Sequence, residues 1–105
     1  MILFLSGPMT GIPNYNRTAF IIAEARLSEL GHTVLNPANN IPIYQPDAIP
    51  HGGYIEICKA MIDRCEAIVQ LPRWEDSIGA NMERIYAVKI GLYVLDYNEL
   101  IKEGV

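Results

Sequence analysis

Short apolar runs alternate with longer stretches in which apolar residues recur every three or four positions. Ile2 to Leu5 is a continuous apolar run stopped by Ser6-Gly7-Pro8. Such a run, bounded by turn residues, predicts a strand buried in a parallel sheet. From about Asn16, the residues Phe20, Ala23, Leu27 and Leu30 fall at helical spacing, and Gly31 stands where a C-terminal cap belongs. Thr33 to Leu35 predicts a second strand, stopped by Asn36-Pro37. The polar stretch from Ala38 to Gly53 carries Pro42, Pro46 and Pro50 and predicts a long loop. Tyr54 to Arg64 predicts a second helix with Ile55, Cys58, Met61 and Ile62 on one face. Ala67 to Leu71 predicts a third buried strand, followed by the loop Pro72-Arg73-Trp74-Glu75-Asp76. A third helix runs from Ile78 to Ile90 and stops at Gly91, Leu92 to Leu95 is a fourth strand, and Tyr97 to about Glu103 a short helix.

Strictly alternating strands and helices predict an α/β fold, a parallel sheet of four to five strands with helices on both faces. A chain of 105 residues has material for one core, so residues 1–105 are read as a single domain. Ligands of such sheets bind in the crevice at the carboxyl ends of the strands. The loops there are Ser6–Tyr15, Asn36–Gly53 and Pro72–Asp76, and any chemistry should sit on them and on the helix starts beside them.

Composition narrows the chemistry. Half of the residues are apolar and 19% are charged, a globular balance. The net charge of −4 disfavours binding to polymeric nucleic acid, which draws on a surplus of cations. A small anion remains possible, because backbone N–H groups at a helix start hold one without net positive charge. No apolar run reaches the length of a membrane span. The opening Met-Ile-Leu-Phe-Leu has no basic lead and is too short for a signal peptide. Cys58 and Cys65 are expected on one helix face, two turns and roughly 10 Å apart, too far for a disulfide. Two core thiols in a reducing cytoplasm is the simplest reading. No Cys/His spacing supports a metal site, and no cofactor motif is present.

Four places could carry chemistry. Ser77 is a good N-cap, and Gly79 lets a ligand approach the helix start closely; an ordinary cap with no ligand is the simpler explanation of the local pattern. Glu83 has no basic residue three or four positions away and shares a stripe with the small Ala80 and Ala87. It could reach the crevice through that slot, although most helix glutamates face solvent. The loop Ser6-Gly7-Pro8-Met9-Thr10-Gly11 lacks both the dinucleotide glycine spacing and the Lys-Ser/Thr of a P-loop, so a plain turn is its default. Trp74, the only tryptophan, and Tyr15 could each stack on a flat base or simply tuck onto the core edge. His32 and His51 have no partner in sequence that would make a triad, and Asp63 and Arg64 read as solvated surface.

The order of these pieces is more specific than any one of them. Ser6-Gly7-Pro8-Met9-Thr10-Gly11 after the first strand, Asn36-Pro37 after the second and Trp74 through Glu83 after the third together resemble the nucleoside 2-deoxyribosyltransferase-like superfamily, in its branch of small phage and bacterial domains of unknown function. The resemblance covers nearly the whole chain. It implies a flavodoxin-like doubly wound fold and cleavage or exchange of an N-glycosidic bond, with Glu83 as nucleophile. It implies that Ser77 holds a 5′-phosphate and that Gly7, Met9 and Gly11 contact sugar or phosphate. It also implies a homo-oligomer, a dimer or larger. The chain departs from the pattern where Cys58 stands at a usual Asp position.

The expectation is therefore an N-glycosidase or deoxyribosyltransferase-like enzyme acting on a nucleoside or its 5′-monophosphate. Glu83 would attack the sugar, and Asp76 or Glu75 would donate a proton. Ser6, Asn36, Ser77 and Gly79 would line the substrate site, and Trp74 or Tyr15 would stack on the base. The alternative is a nucleotide-binding or sensing module without turnover.

Overall fold

The computed structural model describes residues 1–40 and 51–103. Strands β1 (Ile2–Ser6), β2 (Thr33–Leu35), β3 (Ala67–Gln70) and β4 (Tyr93–Asp96) form one sheet in the order β2-β1-β3-β4. Every neighbouring pair is parallel. The helices are α1 (Arg17–Glu29), α2 (His51–Ile62), α3 (Ile78–Lys89) and α4 (Tyr97–Glu103). This is an α/β, flavodoxin-like, doubly wound arrangement, with four strands.

The two central strands are the most apolar. Leu3, Phe4 and Leu5 of β1 are buried, as are Ala67, Ile68 and Val69 of β3. Alternate side chains then divide between two cores. Leu3, Leu5, Ala67 and Val69 pack with Phe20, Ala23 and Leu27 of α1, and Tyr97, Leu100 and Ile101 of α4 lie against them. Phe4 and Ile68 pack on the other face with Cys58 and Ile62 of α2 and Ala87 of α3. The edge strands β2 and β4 are only partly buried.

Three expectations change in detail. The second helix begins at His51, inside the stretch read as loop, and ends at Ile62. Asp63 N still bonds back to Lys59 O, but Arg64 N and Cys65 N bond three residues back, and Glu66 N pairs with Ile2 O. The sheet thus draws the chain out of the helix before Cys65. Cys65 is not on the helix face of Cys58, although both thiols are buried and free. Part of the stretch after the second strand forms a single turn, Pro37–Asn40. Its remainder, residues 41–50, lies outside the described residues. Finally, Ser6 and Asp96 belong to strands, each one residue beyond the expected end. No helix among the described residues is long and apolar enough to cross a membrane.

Phe20 is fully buried at the centre of the first core. Phe20→Ala should cost about 3–5 kcal/mol, the range for removing a buried aromatic ring. The check is a urea unfolding midpoint that falls at an unchanged slope.

Candidate active site

Polar residues close three of the four strands. Register places them side by side, Ser6 opposite Gln70 and Gln70 opposite Asp96. Ser6 and Gln70 are buried, so each needs a hydrogen-bond partner. Helix α3 supplies both. Ser6 Oγ donates to Glu83 Oε1 at 2.8 Å. Gln70 Oε1 accepts from Arg84 Nη1 at 2.7 Å, and Gln70 Nε2 donates to Ala80 O at 3.4 Å.

Glu83 reaches the strand end because α3 turns its small residues inward. Ala80 and Ala87, about a turn to either side, are buried, whereas Ile78, Met82, Ile85 and Val88 are exposed. The helix start is fixed by Ser77, whose Oγ accepts from Ala80 N at 3.1 Å. Asn81 Nδ2 donates to Ser77 O at 2.8 Å and to Glu75 O at 3.0 Å, binding the cap to the preceding turn.

Helix α2 closes the other side of Glu83. The Cys58 thiol is hydrogen-bonded to the Glu83 carboxylate and also neighbours the Tyr54 hydroxyl, one turn earlier on the same helix. Tyr54 Oη donates toward Met9 Sδ at 3.1 Å and lies 3.4 Å from Pro37 O. The first loop, α2 and α3 therefore meet around one carboxyl group.

Burial pushes that carboxyl up to about 7, against the opposing pull of the Ser6 and Cys58 hydrogen bonds. Burial, reinforced by the Glu83 charge, pushes the Cys58 thiol up to about 12, so it stays a neutral donor. The Tyr54 phenol is also pushed up, first by burial and then by Cys58. A carboxyl poised near neutrality can act as nucleophile or base when ionised and as acid when protonated.

The family described as Domain of unknown function (DUF4406) matches residues 1–96. The chain belongs to the DUF4406 family. No curated protein matches it.

The structure of this DUF4406 chain brings only some of the expected residues to Glu83. Ser6 touches it directly, and Met9 is tied to it through Tyr54 and Cys58. Gly7 is buried, and a Cβ there would stand 2.9 Å from Leu71 Cβ, so close packing demands glycine. Gly11 has φ +82, a left-handed turn position. Tyr15 lies in a left-handed run with Asn14 and Asn16 and is half-buried. Ser77 caps α3, and Gly79 is exposed with only Ser77 Oγ, at 3.8 Å, near its missing Cβ.

Two expectations need correcting. Asp76 does not fold inward, because its exposed carboxylate pairs with Arg73 Nε at 3.3 Å. Asn36 is buried, but its amide serves the backbone and α1, with Oδ1 accepting from Ala38 N and Nδ2 donating to Glu24 Oε1. Trp74 carries the Arg84 guanidinium over its ring at 4.8 Å, on the β3–β4 side of the site. Tyr54, Gln70 and Arg84 escape a reading of the sequence. The one signal is positional, since Gln70 is the single polar residue within the run Ala67–Leu71. Among the described residues, no three His, Cys, Asp or Glu side chains gather as a metal site requires.

The raised pKa of Glu83 also sets a stability test. Glu83 titrates near 7 folded and near 4.5 when unperturbed, so the folded state favours the protonated form. That contribution is full below about 4.5 and is lost as pH rises past about 7. Glu83→Gln should therefore raise Tm at pH 8, by up to about 3 kcal/mol equivalent, and change it little near pH 5. Thermal melts of both proteins at the two pH values check this.

Proposed function

We propose that the chain cleaves the N-glycosidic bond of a nucleoside or nucleoside 5′-monophosphate with Glu83 as nucleophile. The observation that carries the reading is the Glu83 carboxyl itself, half-buried at the carboxyl end of a central strand and held there by Ser6. The resemblance of the Ser6–Gly11, Asn36-Pro37 and Trp74–Glu83 segments to the nucleoside 2-deoxyribosyltransferase-like superfamily supports it.

In this reading ionised Glu83 attacks C1′ of the sugar through an oxocarbenium-like transition state. The C1′–N bond breaks, and the base leaves with the electron pair and takes up a proton. The glycosyl ester on Glu83 is then opened at C1′ by water or by a second base, and the configuration is retained. Ser6 orients the attacking carboxylate and lowers its proton affinity. Cys58 does the same from α2, where the superfamily usually has Asp, so it holds the nucleophile without competing for charge. The start of α3 at Ser77 and Gly79, the positive end of the helix dipole, suits a 5′-phosphate. The reading includes a homo-oligomer, whose second copy would cover the crevice, and a reducing cytoplasmic setting for the two free thiols.

A second reading keeps the nucleotide and drops the turnover. The contact that favours it is the same Cys58, a neutral thiol in place of an acid beside Glu83.

Chromatographic detection of free base, across a panel of nucleosides and 5′-monophosphates, separates the two. Glu83→Ala should abolish base release while leaving the circular dichroism spectrum unchanged. Release persisting in that variant would overturn the assignment, and ligand-induced thermal shift without release would favour the binding module.

The pH profile is a separate test. Because Glu83 must be ionised to attack, kcat/KM should fall about tenfold per pH unit below about 7 and level off above it. Ser6→Ala removes a bond that holds the Glu83 pKa down, so its acid limb should move to higher pH. An acid limb that stays in the ordinary carboxylate range would count against Glu83.

A further inference from the structure

Arg84, the residue after Glu83 on α3, lines a cleft of about 220 Å³ between α3 and the junction of β4 with α4. We propose that this cleft is a base-recognition subsite suited to guanine. The inference rests on the glycosidic reading for its substrate class and goes beyond it in naming the base and the residues that read it.

Gln70, Trp74, Arg84, Asp96 and Glu99 line the cleft. Arg84 is held in one plane. Its guanidinium lies 4.8 Å from the Trp74 ring centre, and its Nη1 donates to Gln70 Oε1 at 2.7 Å. Gln70 is only 1% exposed, and its Nε2 donates to Ala80 O, so the anchor is itself fixed. An arginine has five N–H donors, and Gln70 takes one. The others form a planar fork at the cleft, next to the partly buried indole. Two exposed carboxylates, Asp96 and Glu99, line the same cleft. Asp96 Oδ2 accepts from Glu99 N at 3.1 Å, which orients the first and keeps the second close.

A ligand matching this lining is flat, with a pair of acceptors on one edge and a pair of donors on the next. Guanine has both. O6 and N7 accept from an arginine fork, and N1–H and the 2-amino group donate to carboxylates. Adenine puts an amino group in place of O6, and pyrimidines have no N7. Two carboxylates against one guanidinium also disfavour a phosphate here, which leaves the phosphate to the α3 start and the base to this cleft. The placement fits a nucleotide as well. Gln70 lies one strand from Ser6, about 4.8 Å away, and Ser6 holds the nucleophile. A base on the Gln70 side and a sugar on the Ser6 side are neighbours of the kind that a glycosidic bond joins.

Trp74 is the only tryptophan, so its fluorescence reports this cleft alone. The experiment titrates the full chain carrying Glu83→Gln, which blocks turnover, with GMP, AMP, CMP and UMP. Saturable quenching should be tightest with GMP, by roughly tenfold or more, the worth of one good bidentate base contact. Asp96→Asn and Arg84→Lys, each checked for an unchanged circular dichroism spectrum, should remove that preference. Equal affinities, absence of quenching, or a preference that survives both substitutions would overturn the proposal. The two readings fail separately. Glu83-dependent base release with no preference for guanine removes the subsite and keeps the glycosidase. GMP-selective quenching with no base release by the wild type removes the glycosidase and keeps a guanine-binding cleft.

Discussion

A hydroxyl at the end of the central strand donates to a carboxylate that helix α3 has turned inward. Much of the site follows from that contact. A carboxylate taken out of water is costly unless donors replace the lost hydration. Here the replacements are one hydroxyl from β1 and one thiol from α2. They offset part of the cost, and the raised pKa records the part that remains. The contact also constrains the backbone. Residues before Ser6 must be apolar to sit mid-sheet, Ser6 must be polar to meet Glu83, and Gly7 must be small because Leu71 stands against it.

The two faces of the sheet share the work unequally. The face under α1 and α4 is mainly apolar and serves packing. The other face, under α2 and α3, begins as a core of Phe4, Ile68, Ile62 and Ala87 and becomes polar at the strand ends. Ser6, Gln70 and Asp96 meet α3 and the cleft on that side. A rigid parallel sheet thus places three polar groups at fixed spacing, and one helix reads two of them with consecutive residues, Glu83 and Arg84. Precision of this kind is easier to hold on strands and helices than on loops.

The sheet is legible in the sequence because buried parallel strands leave short apolar runs between turn residues, as Ile2–Leu5 and Ala67–Leu71 do. Helix α3 is harder to read. Its apolar residues Ile78, Met82 and Ile85 carry the usual signal of a core-facing stripe, yet they face outward, while Glu83 lies between two alanines. Small residues leave little mark in a hydrophobic pattern, so the stripe beside Glu83 can only suggest room for it. Ser77 is legible because capping is a local matter of one side chain and the next turn. Asp76 is misplaced by a sequence reading because an i, i+3 pairing with Arg73 competes for it on the surface. The pairing of Gln70 with Arg84 is invisible, since it depends on a register that no local pattern encodes.

The Ser6–Glu83 contact joins positions 77 residues apart, and β1 takes its partners from β2 and β3, far along the chain. Contacts this remote form late, after long loops have closed. During synthesis the first strand leaves the ribosome long before β3, and before the glutamate that its serine will hold. Until then β1 is an apolar segment with open hydrogen-bonding edges on both sides, the kind of segment that associates wrongly when left waiting. The nascent chain should therefore depend on being kept apart from its neighbours until α3 has emerged, and any fragment ending before Glu83 would carry the aggregation risk of the fold with none of its chemistry.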